Sequence, residues 1–582
     1  LAISSFSVEN MQKKKWKLLE APDSNEVLAL ADSLNISNVL ATLLLQREIS
    51  NFFDAKKFFR PSLDDLHDPY LMKDMEKAAV RVITAITGNE KIYVYGDYDV
   101  DGTCSAALMY LFLKELGANV HVYIPNRLDE GYGMSIESID WIAQQKANLI
   151  ISVDCGITAV DEVRRAKEHK MDVIICDHHQ PKEELPDAYA ILDPIIPGCK
   201  YPFKFLSGAG VAFKLARAIG DRIGSRDMVL KHLDLVALAG AADIVPLIDE
   251  NRVLVKHGID QINNNPRPGI KALIQNARME PGNLSAGKIV FTLAPRINAV
   301  GRMGDAMRAV DLFTADNAKD AFNVAKILEE ENQERRKIDE MTFSHAVELV
   351  ESQIDLENDL AIILHDDNWH PGVIGIVASR MVEKYYRPAV MLSTIDGIAK
   401  GSARSISGVD IYSVLERCEN LLVQFGGHKA AAGLALEIDK IPEFKKSFNE
   451  ILKESLSKED LVQEISISTQ ISLSEITPKF IRILEQFTPF GPGNMRPVFM
   501  AEGIEVVNSP RIVGVNHIVS TLRQPGGDKM FDSIGFNLGS YYDLMSNGKL
   551  LDIVFTIEQI NRDGRLYPQL RLKDIKPSEK DR

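Results

Sequence analysis

The sequence predicts an α/β chain of several domains: a parallel-sheet domain, a long connecting helix, a second α/β domain and a C-terminal β-barrel. Three observations lead there. Between about residues 80 and 200, Val/Ile-rich runs alternate with amphipathic stretches, the pattern of a parallel sheet covered on both faces. Residues 316–353 contain neither Pro nor Gly and carry charge along their whole length, which reads as one connecting helix. After about residue 464, short alternating segments are separated by turn signals such as PGGD and RDGR, the texture of a small barrel.

Size and composition set the outer limits. A chain of 582 residues is too long for one core. No apolar run approaches the ~18 residues of a membrane helix, so no membrane association is expected. The formal charge of −15 excludes a uniformly basic exterior but leaves room for a basic groove. Cys104, Cys155, Cys176, Cys199 and Cys418 show no paired metal-type spacing, which suits a reducing cytoplasm. The opening LAISSFSVENMQKKKWKLL lacks a basic region followed by an apolar one, so a secretory signal is not expected. Met11 reads as the start, with ten residues upstream of it.

The elements follow in order. KIYVY, NVHVYIP, NLIISVD and DVIICD read as strands, and TCSAALMYLFLKELG, SIESIDWIAQQ and TAVDEVRRAKEHK as the helices between them. Residues 205–315 read as mostly helical, with LVALAGAADIVPL almost wholly buried, and a second α/β region begins at LAIILHDD. The expected domains are 1–60 (an extension and helical segment), 61–315, 316–355 (the connecting helix), 356–460 and 461–582.

Chemistry concentrates at the strand ends. Asp97, Asp99 and Asp101 follow KIYVY, Asp154 closes NLIISVD, and Asp177, His178 and His179 follow DVIIC. Residues just past the carboxyl ends of neighbouring parallel strands converge on one crevice. Asp243 adds a charge inside an apolar stretch, where it is costly unless compensated. A single aspartate after a strand usually caps a turn or helix, and a lone His pair is more often structural. So many together point to a site for divalent cations, and the oxygen-rich mixture favours Mn²⁺ or Mg²⁺ over zinc. Two such ions sharing a carboxylate suit phosphate-ester hydrolysis.

GDYDVDG, SVDCG, CDHH and AADIVP, in this order and spacing, resemble the four signature motifs of the DHH phosphoesterase superfamily. NWHPGVIGIVASR, GSARSI and FGGHKAAAG resemble its associated DHHA1 domain. APRINAVGRM, FTPFGPGNMRPVF and the β-rich C-terminus, which looks like an OB-fold, narrow the resemblance to the bacterial single-strand-specific DNA exonucleases of that superfamily. The resemblance implies 5′→3′ degradation of single-stranded DNA to mononucleotides with two Mn²⁺ or Mg²⁺ ions, in recombination and repair. It implies Asp99, Asp101, Asp154, His178 and Asp243 as metal ligands, with Asp154 as the bridge. Asp97 and Asp177 then orient ligands or water, and His179 contacts phosphate or supports a ligand. Many small relatives carry His where this chain has Tyr95, so Asp97 is expected to compensate. A single-strand-binding protein, a RecQ-type helicase and a monomeric state are the further expectations.

Substrate grip is expected from Arg127, Arg296, Asn298, Arg302, His370, Ser402, Arg404, Gly426 and Gly427. Cationic or hydroxyl groups beside glycines reach phosphate oxygens readily. GGHKAAAG reads as a glycine turn opening a helix N-terminus, with His428 resembling the family histidine that faces the scissile phosphate. Arg511, His517, Arg523, Lys529, Arg562, Arg565 and Tyr567 would form a basic, partly aromatic face on the barrel. Two other readings compete: a small-substrate phosphatase of the same superfamily, and a DNA-binding scaffold that has lost catalysis. The barrel and the arginine motifs oppose the first, and the complete set of acidic positions opposes the second.

Overall fold

Lys91–Gly96 lies second in a five-stranded sheet, between Asn119–Tyr123 on one side and Leu149–Val153, Asp172–Cys176 and Ala190–Leu192 on the other. All four pairings are parallel. The chain steps first to one neighbour of Lys91–Gly96 and then to the other, which makes the carboxyl end of that strand a topological switch point. Alternation assigns the faces. Ile92 and Val94 pack into the core that holds the Val100–Glu115 helix. Tyr93 and Tyr95 join Ile139, Ile142, Val163 and Ala166, from the helices Ile136–Gln144 and Val160–Glu168, on the opposite face.

The computed structural model describes residues 14–127, 130–131 and 133–579, and the chain divides into two units. One comprises Pro61–Ser344 with Pro489–Asn494; the other takes the described part of the first 60 residues, His345–Thr488 and the chain from Met495. The expected start at Met11 lies outside the described residues.

In the first unit a helical layer completes the sheet's cover. The helix Leu233–Ala242 is buried from Leu233 to Ala241, as expected of a helix apolar all round, and it delivers Asp243 at its end. The expected connecting helix spans Ala318–Gln353. Among the described residues no single helix is long and apolar enough to cross a membrane.

The second unit holds two further sheets. In one, Gln424–His428, Ala431–Glu437, Ile398–Arg404, Ala389–Ile395 and Ile362–His365 follow in that order, and only the last pairing is parallel. The other closes on itself: Phe499–Val506, Leu551–Arg562, Arg565–Pro577, Met530–Gly535 and His517–Arg523 form a ring because His517–Arg523 pairs back onto Phe499–Val506. That closure is the expected small barrel. The N-terminal segment belongs here as well: Lys15–Leu18 pairs with Glu464–Ile467, and Phe58 and Phe59 pack edge-on against Phe487.

Candidate metal centre

Strand register aligns the acidic groups. Gly96 pairs with Val153, Val153 with Cys176, and Cys176 with Leu192. The next residue of each strand is therefore level with its neighbours, and each is aspartate: Asp97, Asp154, Asp177 and Asp193.

The loop after Lys91–Gly96 is held tightly. Asp99 caps the Val100–Glu115 helix, its Oδ1 accepting the Gly102 N–H at 3.0 Å. A Cβ on Gly102 would overlap the Asp97 backbone, so only glycine lets the helix start this close. Asp101 accepts the N–H groups of Gly208 and Ala209, both at 2.7 Å. These open the Gly208–Arg222 helix, where an anion is favoured. Asp154 has φ +63°, a left-handed conformation that costs an aspartate energy and recurs at functional sites.

These residues fall into three overlapping groups. In each, one ligand atom per residue lies within 4.8 Å of the others: Asp97, Asp99 and Asp154; Asp101, His178 and Asp243; and Asp154, His178 and His179. His178 Nε2 stands 3.1 Å from Asp154 Oδ1, 3.5 Å from Asp243 Oδ2 and 3.9 Å from Asp101 Oδ2. Four buried atoms, Asp97 Oδ1, Asp154 Oδ1, His178 Nε2 and Asp243 Oδ2, make no hydrogen bond. Buried polar atoms are otherwise almost always satisfied. Four of them converging from separate elements fit divalent cations, and the carboxylate–imidazole set matches Mn²⁺ or Mg²⁺.

The electrostatics agree. Burial, then the charge of Asp99, raises Asp97 well above the carboxylate range and Asp101 to about 7. Burial, then Asp101, does the same to Asp154 and Asp243. So many carboxylates cannot share the crevice as anions without a cation. Burial, then His179, lowers His178 to about 4, leaving the neutral imidazole that ligates metals. The Asp177 charge and the Leu206 backbone act the other way and are outweighed.

Asp177 plays a different part. Its Oδ1 accepts the N–H groups of His178 (2.7 Å) and His179 (3.2 Å) and lies 2.7 Å from His179 Nδ1, while Oδ2 accepts the Ile157 N–H at 2.9 Å. Burial acts upward on Asp177, but the His179 hydrogen bond and charge bring it down to about 2. Burial acts downward on His179, yet the Asp177 bond raises it to about 9. Tyr95 takes no part: it is fully buried on the other face, its hydroxyl 3.1 Å from the Gly133 carbonyl and from Ser138 Oγ. Asp193 escaped the sequence reading. It is fully buried beside Asp177, with Oδ2 making no hydrogen bond, and burial raises it to about 7. Its signal was the aspartate closing AYAILD, the same strand-end rule applied once more.

The expected substrate residues divide. The Arg127 guanidinium lies 5.1 Å from the Tyr98 ring, beside the acidic loop, and the charge of Arg302 also acts on Tyr98. Arg296 is buried, bonded to Glu329 Oε2 at 2.5 Å and to the Thr292 carbonyl at 2.6 Å. Asn298 Oδ1 accepts the Val100 N–H at 3.1 Å. These two side chains hold protein rather than presenting themselves to a strand.

In the second unit, His370 Nδ1 caps the Pro371–Tyr385 helix by accepting the Gly372 N–H at 3.1 Å. A Cβ on Gly375, in that helix, would lie 2.9 Å from Ser402 Oγ and 3.0 Å from Arg404 Nη2, so a hydroxyl and a guanidinium sit against its first turns. GGHKAAAG does not open a helix. Gln424–His428 and Ala431–Glu437 form an antiparallel hairpin there, with Gly426 opposite Gly433 and His428 exposed at its end. A run of glycine and alanine serves equally as a helix-opening turn or as flat strand; pairing of Ala431–Glu437 with Ile398–Arg404 decides for strand. On the barrel, Arg523 pairs with Glu505, Arg562 with Asp532, and Lys529 with the carbonyls of Ser474 and Ile476. Arg511, Arg565 and Tyr567 remain exposed, while His517 Nδ1 accepts the Asn537 N–H.

Known proteins share this domain organisation. Residues 91–240 match the DHH family N-terminal domain, 357–454 the DHHA1 domain and 467–574 the RecJ OB domain. The chain is 39% identical to the single-stranded-DNA-specific exonuclease RecJ of Bacillus subtilis, across 97% of this chain and 71% of that protein. It is 34% identical to RecJ of Salmonella typhimurium, across 87% of this chain and 91% of that protein. The crystal structure of RecJ from Thermus thermophilus in complex with Mn²⁺ superposes with a TM-score of 0.83 at 29% identity, covering 97% of this chain and 80% of that one. Its Mg²⁺ complex gives 0.77 at 27% identity, covering 97% and 79%. With a complete acidic crevice, the three matched domains and these relatives, the chain belongs to the RecJ family.

Proposed function

We infer that this chain is a metal-dependent exonuclease that degrades single-stranded DNA from its 5′ end to mononucleotides by two-metal hydrolysis. One observation carries the reading: four unbonded buried ligand atoms meet in one crevice, with Asp154 shared between two ligand groups. The names of the relatives support the substrate class, and the Mn²⁺ and Mg²⁺ complexes of the Thermus protein support the ions. We further propose a cytoplasmic, monomeric enzyme of recombination and repair, working beside a single-strand-binding protein and a RecQ-type helicase.

Asp99, Asp101, Asp154, His178 and Asp243 would hold the ions, with Asp97 Oδ1 completing the set. Bound there, divalent ions supply a water of lowered pKa and positive charge against the scissile phosphate. The protein's own groups do the rest. Asp177, already accepting four contacts, orients His178 and His179 rather than ligating. His179, held by the Asp177 carboxylate through Nδ1, turns the rest of its ring toward a phosphate contact. Arg127 and Arg302 add charge beside the acidic loop. In the second unit Ser402 and Arg404, at a helix start, suit the terminal 5′-phosphate, and exposed His428 suits a phosphate contact.

The test is a time course on 5′- and 3′-labelled single strands with Mn²⁺, using duplex and dinucleotide controls. Early release of labelled mononucleotide from the 5′ label alone is expected, with EDTA stopping it. Early release from the 3′ label, or faster cleavage of dinucleotides than of long strands, would overturn the reading.

A further inference from the structure

The segment after Ser285 is a single helical stack with a wide turn inside it. Ala286–Lys288 is α-helical, Ile289–Leu293 is a π-helix in which the Ala294 N–H reaches back to the Ile289 carbonyl, and Ala294–Met303 is α-helical again. Pro295 explains the widening. It has no N–H for the Phe291 carbonyl, and its ring would strike that carbonyl in a regular helix. Such π segments recur at functional sites.

Beyond the wide turn the helix meets the acidic loop at two points. Asn298 Oδ1 accepts the Val100 N–H at 3.1 Å, satisfying an amide in the first turn of the Val100–Glu115 helix that has no partner within that helix. One turn on, Gly301 lies so close that a Cβ would stand 2.5 Å from the Tyr98 carbonyl oxygen. Just before the first of these points, Arg296 ties the helix to Ala318–Gln353 through Glu329 and to its own π turn through the Thr292 carbonyl. Residues 98 and 100, the two that are gripped, alternate with Asp97, Asp99 and Asp101.

The geometry points to Ala294–Met303 as a positioning helix for the metal loop, in which Asn298 and Gly301 fix the backbone that aims Asp97, Asp99 and Asp101. This rests on the proposed function and deepens it. It gives Asn298 a role distinct from binding DNA: its side chain sets affinity for the ions and does not grip the strand. Outer partners of metal ligands commonly change metal affinity 10–100-fold when removed.

The experiment is Mn²⁺ titration by calorimetry without DNA, on the full chain and on N298A, N298D and G301A, with a thermal melt of each in EDTA. Wild type should bind Mn²⁺. N298A should bind roughly 10–100-fold more weakly while melting as a folded protein, and N298D, which keeps the acceptor oxygen, should bind within a few-fold of wild type. G301A carries a better helix former, so loss of Mn²⁺ affinity there reports displacement of Tyr98. It also stands as the independent variant if N298A does not fold. At saturating Mn²⁺, N298A should recover kcat, with KM for single-stranded DNA unchanged. Wild-type Mn²⁺ affinity in both N298A and G301A would overturn the inference, as would a raised KM with normal Mn²⁺ binding. Failure of the wild type to bind Mn²⁺ would instead overturn the metal reading of the site and this inference with it.

Discussion

Gly208 lies directly against Asp154: a Cβ at position 208 would stand 2.6 Å from both Cβ and Oδ1 of that aspartate. The same Gly208 donates its N–H to Asp101 at 2.7 Å. One residue without a side chain thus sets two of the acidic groups. G208A should displace Asp154 and lower Mn²⁺ affinity by about 10–100-fold, read by calorimetry, in a protein that still folds. Unchanged affinity would mean that the crevice tolerates movement of Asp154.

Asp154 combines a left-handed backbone with a charge set among other carboxylates. Asn accepts that backbone and brings no charge. D154N should therefore raise the melting temperature in EDTA while lowering hydrolysis with Mn²⁺ by at least about 10²-fold. Function and stability pull in opposite directions at this residue, so a melt and a rate assay on one preparation check both halves.

Stability of the metal-free protein should fall as pH rises above neutrality. Asp101 (raised to about 7) and Asp97, Asp154 and Asp243, all raised by burial and neighbouring carboxylates, bind protons in the fold that the unfolded chain has released. His179, raised to about 9, contributes stability that is lost as pH rises through that value. His178 works the other way, but its contribution is complete once pH exceeds the unfolded value of about 6.5. Above 6.5 every remaining contribution has the same sign, and stability declines with pH. Melts in EDTA between pH 6.5 and 9 should show the decline, and Mn²⁺ should flatten it. At the acid end Asp177, lowered to about 2, contributes stability above pH 4 that disappears as pH falls toward 2.

Away from the crevice, Lys214 and Glu250 form a fully buried ion pair. Glu250 also accepts the His67 N–H at 2.7 Å and the Tyr201 hydroxyl at 2.5 Å. E250A leaves the ammonium buried without its partner and should cost about 3–5 kcal/mol. Denaturant unfolding of E250A beside a K214M/E250L double variant checks this, since removing both charges should cost less than removing one.

The sequence was most legible where chemistry follows from placement along a strand. Asp97, Asp154 and Asp177 were found because each closes an apolar run. Asp193 was missed because Ala190–Leu192 has only three residues, too few to show a pattern. Asp243 stood out as a charge inside a buried helix end. Partner choice was not legible. Nothing local in APRINAVGRM says that Arg296 meets Glu329, 33 positions onward, or that Asn298 reaches Val100. The GGHKAAAG hairpin likewise depends on a strand more than twenty residues upstream, Ile398–Arg404.

The level strand ends have a consequence for how such a site tolerates change. Neighbouring strands in a sheet stand about 4.8 Å apart, and the residues just before Asp97, Asp154 and Asp177 are paired across that interval. The placement of these carboxylates thus starts from backbone hydrogen bonds, which replacing a side chain within the strands leaves in place. A strand slipped by one residue would send its aspartate to the opposite face of the sheet. The catalytic ruler of this fold is its ladder.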